Sequence, residues 1–353
     1  MWTVGCRKKV GVAMVILVVS VGWLAIHRAE ADPSLVLLSA RDQIPGSFLQ
    51  DQTIYADKER IYLASSEGVL FVLARDRLAD FPLIQGVDLG VSLAAVRGDR
   101  NYLYVSAADG ELKIFCKTWP LRLVKTVPLS DFGLNSLTVL GSDLYVSRGQ
   151  AEMEVDQSRV YLSMLNEGEV GLGLKKNNLD APIGLIYGQI FSPWVTEVYD
   201  RRTAVVVGRI ANPASSQVAL FGDRACLYQT VPGCCGPGIF VYRKDTLTLN
   251  QFIARPATNT VAVVNQAGVN FLIGGTEGGS VDLFDLFLDP SPLVSSVDLR
   301  TATGHTGAED IEIRALWFDG LDNLVLAASS WGNDSSRGPD LPSFFVLEVL
   351  GLK

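Results

Sequence analysis

One short phrase occurs twice near the start of the chain, and its repetition constrains the fold more than any other feature. RIYLASSEGVLFVL begins at Arg60, and YLYVSAADGELKIF begins at Tyr102. In each, a tyrosine is followed six residues later by a glycine and then by an apolar run, from Tyr62 to Gly68 and from Tyr104 to Gly110. The two tyrosines lie 42 residues apart. A strand–turn–strand phrase repeated at this distance indicates a repeat protein.

The same kind of strand opening recurs along the rest of the chain at nearly constant steps. The successive steps are 42, 41, 42, 41, 44 and 53 residues, and the seven marks are Tyr62, Tyr104, Tyr145, Tyr187, Tyr228, Leu272 and Val325. A period of about 40–50 residues with several short strands indicates a β-propeller. A four-stranded sheet cannot bury both apolar faces alone, whereas sheets stacked around an axis can. The sequence therefore predicts an all-β, seven-bladed β-propeller with the marks buried between blades.

Most blades can be divided into four strands each. The second blade, for example, comprises SLAAVRG, YLYVSA, GELKIF and RLVKTVPL. The last blade supplies only three strands before the chain stops, and SLVLLSA (34–40) precedes the first blade without a blade of its own. We therefore predict that this N-terminal strand completes the last blade, which would leave no open edge in the ring. The strands within 165–184, between the third and fourth blades, cannot be assigned from the sequence.

A turn phrase suggests a superfamily. Ser66-Glu67-Gly68, Ala108-Asp109-Gly110 and Thr276-Glu277-Gly278 each join two apolar strands. This pattern resembles the repeat of the quinoprotein-like and YVTN-type propellers, over about residues 34–353. The Trp-Asp dipeptide of WD40 repeats is absent, and Gly-His occurs once, at Gly304-His305, without the repeat spacing. The resemblance implies a propeller fold and no particular function, because propellers carry many unrelated functions.

The first 31 residues differ in character from the rest. Arg7, Lys8 and Lys9 precede an apolar run (10–26), and Ala29-Glu30-Ala31 follows it. This is the layout of a secretory signal peptide, which leaves residues 32–353 as a single propeller domain. The run would form a helix of roughly 26 Å, so an uncleaved signal anchor is the alternative. In either case we expect an extracytoplasmic domain, secreted or periplasmic, that meets a membrane only if the anchor is retained.

Charge and loop length direct attention to one rim of the predicted ring. The net charge of −8 makes the chain a poor nucleic-acid binder. Three connections between second and third strands are long, at 148–157, 230–238 and 329–343. Long loops on one rim of a rigid scaffold are common binding sites. The candidate binding residues are Glu152, Glu154, Asp156, Trp331, Asn333, Asp334 and Asp340.

The same rim is a candidate cation site. Glu309 and Asp310 join the acidic residues there, and oxygen-rich clusters suit calcium. A solvated acidic rim is the other interpretation. No cofactor is predicted otherwise, because His305 is the one histidine left after the N-terminal segment and no Cys-x-x-Cys spacing occurs.

Cysteines form the last candidate group. Cys116, Cys226, Cys234 and Cys235 follow the N-terminal segment, and an exported domain permits disulfides. Cys226 could bond to the loop that carries the adjacent Cys234 and Cys235. The adjacent pair also resembles the vicinal disulfide of quinoprotein dehydrogenases, and spacing alone does not decide between these pairings.

These observations lead to one function and two alternatives. The main hypothesis is a non-enzymatic, exported scaffold that binds a protein or glycan ligand through the loop-rich rim. The first alternative is a propeller lactonase or hydrolase that uses a cation at Glu309 and Asp310 to activate water. The second is a quinoprotein-type oxidoreductase at Cys234 and Cys235.

Overall fold

Antiparallel β-strands make up nearly all of the regular structure, as the short β-branched and aromatic runs of the sequence predict. This computed structural model describes residues 33–41, 44, 48, 52–75, 81–129, 134–140, 143–148, 157–161, 167–173, 176–180, 185–190, 195–200, 205–211, 215–221, 224–229, 238–254, 258–266, 269–286, 288, 291–304, 311–331 and 344–352. Within these residues the strands form seven sheets of four strands each, which we number in chain order.

Sheets 1 to 6 are antiparallel meanders in which each strand pairs with the next in the chain. Sheet 1 contains β2 (Ile54–Ala56), β3 (Arg60–Ala64), β4 (Val69–Ala74) and β5 (Leu83–Asp88). Sheet 2 contains β6 (Leu93–Gly98), β7 (Tyr102–Ala107), β8 (Glu111–Cys116) and β9 (Arg122–Pro128). Sheet 3 contains β10 (Leu134–Leu140), β11 (Asp143–Arg148), β12 (Gln157–Tyr161) and β13 (Glu167–Gly173). Sheet 4 contains β14 (Lys176–Asp180), β15 (Leu185–Ile190), β16 (Val195–Asp200) and β17 (Val206–Ala211).

The later sheets follow the same plan. Sheet 5 contains β18 (Ser215–Phe221), β19 (Arg224–Gln229), β20 (Gly238–Arg243) and β21 (Leu249–Ala254). Sheet 6 contains β22 (Thr258–Gln266), β23 (Val269–Thr276), β24 (Ser280–Asp285) and β25 (Leu293–Asp298), and the short helix α1 (Leu299–Thr303) follows it. Sheet 7 contains β26 (Ile311–Asp319), β27 (Leu324–Trp331) and β28 (Phe344–Leu350).

The fourth strand of sheet 7 comes from the other end of the chain. β1 (Ser34–Arg41) pairs antiparallel with β28, so that Ser34 lies opposite Leu350 and Arg41 opposite Phe344. This confirms the prediction that the N-terminal strand completes the last sheet. Backbone hydrogen bonds between the two ends of the chain hold this sheet together.

The sheets contact one another in order. The first strand of each sheet contacts the first strand of the next, and β26 of sheet 7 contacts β2 of sheet 1. A parallel bridge between Gln52 and Ala95 joins the beginning of sheet 1 to β6. The first strands therefore lie on the inside of the assembly, and the fourth strands lie at its outer edge.

The two ends of the sheets carry different connections. We call the turn side the end where the first strand turns into the second and the third into the fourth. The loop side is the end where the second strand leads to the third and where one sheet leads to the next. The second-to-third connections are short at 65–68, 108–110, 191–194 and 277–279, and long at 149–156, 230–237 and 332–343. The observed strand ends therefore leave long connections in sheets 3, 5 and 7, the sheets for which the sequence predicts long loops.

The apolar cores lie between neighbouring sheets, as a radial stack requires. Tyr62 is fully buried between sheets 1 and 2, and Tyr104 is buried between sheets 2 and 3. Leu272 and Val325 are also buried, but each faces the preceding sheet instead of the following one. These two marks are therefore one residue out of register with the tyrosines, because side chains alternate between the faces of a strand.

The segment that the sequence left unassigned supplies one strand to each of two sheets. β13 ends sheet 3 and pairs with β12, and β14 begins sheet 4 and pairs with β15. Its glycines, lysines and asparagines give little apolar alternation, which is why periodicity did not reveal these strands.

Candidate functional site

Most of the residues that the sequence singled out lie outside the described part of the chain. They are Glu152, Glu154, Asp156, His305, Glu309, Asp310, Asn333, Asp334, Asp340, Cys234 and Cys235. Trp331 is the last residue of β27, opposite Ile311, and Cys226 lies in β19, opposite Val241 of β20. The rim-binding, calcium and disulfide hypotheses therefore remain predictions.

The structure describes a charged cluster at the opposite end of the sheets, on the turn side of sheets 7, 1 and 2. It is built on a repeated turn. The Oδ1 atom of Asp57 accepts hydrogen bonds of 3.0 Å from the amides two and three residues further on, and its Oδ2 atom accepts one of 3.2 Å from the Tyr62 hydroxyl. Asp99 accepts the equivalent bonds, all at 2.7 Å, with Tyr104 as the hydroxyl donor. Aspartate closes such turns by accepting from its own backbone, and here it also orients the buried tyrosine.

A lysine from sheet 2 enters the first turn of sheet 1. The Nζ atom of Lys117, just beyond β8, donates to Asp57 Oδ2 at 2.9 Å, to the Tyr55 hydroxyl at 3.2 Å and to the carbonyl oxygen of Asp99 at 2.7 Å. Nζ also lies 4.7 Å from the centroid of the Tyr55 ring, a distance that favours a cation–π interaction. We call Lys117, Asp57, Tyr55 and Asp99 the Lys117 cluster. All three donor positions of the ammonium are used, and the cluster joins sheets 1 and 2.

An arginine from sheet 1 makes the corresponding contact with sheet 7. Arg75, just beyond β4, forms ion pairs through Nη2 with Asp319 and with Asp322, the latter at 2.6 Å. Its Nη1 donates to the carbonyl oxygen of Asp57 at 2.6 Å. The side chains of Arg75 and Asp319 are only 4% and 8% exposed, whereas that of Asp322 is 43% exposed. We call Arg75, Asp319 and Asp322 the Arg75 cluster, and it joins sheet 7 to sheet 1.

The electrostatics follow from these contacts. Burial alone would raise the pKa of Asp57, but hydrogen bonds from Lys117 and from backbone amides, together with the charge of Lys117, hold that pKa below its ordinary value. Burial and the neighbouring aspartate raise the pKa of Tyr62 and of Tyr104. Asp57 therefore carries its charge at neutral pH, while Tyr62 and Tyr104 remain neutral hydrogen-bond donors.

Two cavities open beside these turns, one on each side of the first turn of sheet 1. A cavity of about 660 Å³ is lined by Lys58, Arg60, Arg75 and Trp119, among others. The second, of about 830 Å³, shares Lys58 and Arg60 and is also lined by Arg100. The Arg60 guanidinium lies 5.2 Å from the Trp119 ring centroid. Both linings also carry carboxylates, Glu59 in each, so the walls present charges of both signs.

A free thiol also lines the larger cavity. Cys116 accepts a hydrogen bond of 3.3 Å from the Thr118 hydroxyl, and this bond, with the nearby charge of Arg122, lowers the pKa of the thiol. Among the residues that the structure describes, no three or more His, Cys, Asp or Glu side chains are grouped so that they could hold a metal ion.

Sequence reasoning missed this cluster, although a signal for it is present. Asp57 and Asp99 share the 42-residue interval of the tyrosines, and so do Arg75 and Lys117. The Asp-Gly-Leu-Asp-Asn sequence from Asp319 to Asn323 is typical of a turn between two strands. It is that turn, but it also supplies both carboxylates of the Arg75 cluster.

The comparisons with known proteins show the fold and no family. The sequence matches no protein-family model and no curated protein. Among solved structures, the chain is similar to one in the crystal structure of BBS1N in complex with ARL6DN, soaked with mercury, with 12% identity, a TM-score of 0.66, and coverage of 90% of this chain and 98% of that one. It is also similar to the structure of U3-55K, with 10% identity, a TM-score of 0.65, and coverage of 90% and 98%.

A third similar chain belongs to the crystal structure of the mitotic checkpoint complex, with 8% identity, a TM-score of 0.62, and coverage of 98% of this chain and 96% of that one. These structures have WD40-like or other β-propeller-like folds, so the all-β, propeller-like prediction is confirmed. The closer resemblance to quinoprotein-like and YVTN-type propellers stays a prediction.

The N-terminal predictions also stay open. Residues 1–32 lie outside the described part of the chain, so the structure tests neither the signal peptide nor the anchor. Among the described helices, none has the length and apolar character needed to cross a bilayer.

Proposed function

We propose that this protein is a closed seven-bladed β-propeller that acts as a scaffold for binding a partner protein. Three observations support the closed ring: the seven four-stranded sheets, the contacts that run from each first strand to the next and back to β2, and the pairing of β1 with β28. A ring of this kind leaves its two ends free of sheet contacts, and the connections there are the natural binding surfaces.

The loop side is the proposed binding surface. The observation that carries this proposal is the selective growth of the second-to-third connections at 149–156, 230–237 and 332–343, while the other four stay at three or four residues. The flanking strand ends all lie at the same end of their sheets, so the three long connections leave from one side. Two of the similar structures are complexes with other proteins, which favours a protein partner over a glycan.

We further propose that the domain works outside the cytoplasm. The basic flank, apolar run and small residues of 1–31 support export, whether or not the segment is removed. The hydrolase and quinoprotein alternatives depend on Glu309, Asp310, Cys234 and Cys235, and no described contact favours either one.

Site-specific photo-crosslinking tests the binding surface. A photoreactive amino acid that replaces Asp334, within 332–343, should give a discrete protein adduct in the source cells. The same photoreactive amino acid in place of the exposed Leu321, on the turn side, should give none. Shortening 332–343 to the length of 277–279 should abolish partner capture without changing the thermal midpoint by more than a few degrees. Capture that survives the shortening in a folded protein would contradict the loop-side assignment.

A further inference from the structure

The chain enters its first strand on the turn side. β28 follows the connection 332–343, so it begins on the loop side and ends on the turn side at Leu350. Because Ser34 lies opposite Leu350 in the antiparallel pair, β1 begins on the turn side. The segment that precedes β1 therefore leaves the domain at the same end as the Lys117 and Arg75 clusters.

That segment is short and comes directly after the apolar run. Only residues 27–33 separate the run at 10–26 from β1. An extended chain spans about 3.5 Å per residue, so these residues reach roughly 25 Å. If the apolar run stays in a bilayer, the turn side lies within that distance of the lipid surface, and the loop side points away.

Exposed cations lie in the turns of sheets 1 and 2, although the whole chain carries −8. Lys58, Arg100 and Arg122 are exposed there, and within the described residues none of them forms an ion pair with a carboxylate. Glu59 is an exposed acid beside them, and its Oε2 atom lies 3.4 Å from Nη2 of Arg60.

The other described carboxylates in the turns of sheets 7, 1 and 2 are held by hydrogen bonds or ion pairs. Asp99 accepts from two backbone amides and from Tyr104. Asp57 is held by Lys117, and Asp319 and Asp322 are held by Arg75. Among the described residues in the turns of sheets 7, 1 and 2, the exposed cations that pair with no carboxylate are therefore Lys58, Arg100 and Arg122.

Apolar side chains stand among these cations. Trp119 is 49% exposed beside Arg60, and Leu321, at the tip of the first turn of sheet 7, is 60% exposed. Tryptophan with nearby basic residues is typical of surfaces that sit at the headgroup level of a bilayer. An acidic peptide would use the cations, but it gives no reason for the position of the apolar N-terminal run.

We propose that the turn side of sheets 7, 1 and 2 docks against an anionic phospholipid surface. Lys58, Arg100 and Arg122 bind the lipid phosphates, and Trp119 and Leu321 enter the headgroup layer. The domain then presents its loop side away from the membrane. The proposal does not require a loop-side partner, so either surface can fail its test while the other stands.

Hydrogen exchange with mass spectrometry on the full chain in vesicles tests this docking. The vesicles are phosphatidylcholine alone or phosphatidylcholine mixed with phosphatidylglycerol. We expect slower exchange at 57–60, 99–101 and 117–122 only in the anionic vesicles, with no change at the loop-side segments 65–68 and 108–110. High salt should remove the protection, because headgroup attraction acts over about a Debye length.

A charge-reversed variant and a matched control locate the contact. Lys58→Glu, Arg100→Glu and Arg122→Glu together should abolish the protection. The control reverses three cations on outer strands and on the loop side, Lys125→Glu, Arg209→Glu and Arg300→Glu, and should keep it with the same change in net charge.

Three results would overturn the proposal. The first is equal protection in neutral and anionic vesicles, which would mean that the anchor alone positions the domain. The second is protection on the loop side. The third is protection of the turn side by a soluble polyglutamate peptide but not by anionic vesicles, which would make an acidic protein segment the ligand.

Discussion

The Arg75 and Lys117 clusters occupy equivalent places in neighbouring sheets but differ in chemistry. Each cation follows the third strand of its sheet and reaches into the first turn of the preceding sheet. Arg75 binds two carboxylates and a carbonyl, whereas Lys117 binds one carboxylate, a hydroxyl and a carbonyl. Arginine holds its donors in a rigid planar fork and lysine is a point charge, so the two positions are not interchangeable.

The difference matches the position of each cluster in the chain. Lys117 and Asp57 are 60 residues apart, whereas Arg75 and Asp319 are 244 residues apart. Closing a loop about four times longer costs roughly 1.2 kcal/mol more in chain entropy. The stronger pair thus lies at the boundary between sheets 7 and 1, where the two ends of the chain meet. We infer that the carboxylate pair there helps to hold a contact that local folding does not favour.

Replacing Arg75 with methionine should have the largest effect. The substitution keeps the aliphatic stem but leaves the buried Asp319 without its partner, and loss of one member of a buried pair costs about 3–5 kcal/mol. Urea unfolding followed by tryptophan fluorescence measures the change. The matched control is Arg243→Met, whose partner Asp245 is exposed, because a surface ion pair of this kind contributes little to stability.

A second variant separates pairing from packing at the same place. In the Arg75→Met, Asp319→Asn double variant the buried charge is gone, so part of the lost stability should return. If the loss of stability in the double variant equals the sum of the losses in the two single variants, Arg75 and Asp319 are not coupled. The inference that this pair helps to hold sheet 7 against sheet 1 would then be wrong.

Replacing Lys117 with methionine should cost less, about 2 kcal/mol. It removes a charge-assisted hydrogen bond to Asp57, but Asp57 keeps its bonds from the backbone amides and from Tyr62. The measurement is the same unfolding experiment, and Lys125→Met on the outer strand β9 serves as the control. A loss equal to that of Arg75→Met would show that the two boundaries do not differ in the way described above.

The fold was predictable where sequence and local structure agree. In sheets 1 and 2 the first-to-second turns carry Asp57 and Asp99, which accept from their own backbone amides. The second-to-third turns carry Gly68 and Gly110, whose φ values are 92° and 81°. The closing strand was predictable because the last sheet lacked one strand and 34–40 had no sheet. The register of Leu272 and Val325 was not predictable, because sheets 6 and 7 are apolar on both faces. In such an apolar run, the sequence does not show which residue faces the preceding sheet and which faces the following one.

The candidate site was less predictable because it is formed by contacts between sheets. Sequence reasoning followed loop length and counted acids, and both criteria point to the loop side. The charges of the turn side are ordinary turn residues when each is considered alone. They become a cluster only because Arg75 and Lys117 cross into the preceding sheet, and a periodic lysine or arginine after the third strand was the available signal.

Acid should weaken the Lys117 cluster through Asp57, and this is the smallest expected effect. The folded pKa of Asp57 lies below its reference value of 3.8, so its stabilisation is fully present above that pH and is lost as pH falls through the lower folded pKa. Asp57→Asn keeps the turn hydrogen bonds through Oδ1 but loses the charge, and should cost about 1 kcal/mol at neutral pH. The difference between variant and wild type should begin to shrink as pH falls below about 4, where the unfolded chain takes up its proton, and should be lost below the lower folded pKa. A difference that stays constant between neutral pH and pH 3 would mean that the Asp57 charge does not stabilise the boundary between sheets 1 and 2. The stabilisation by Lys117 would then come from its hydrogen bonds to Tyr55 and Asp99.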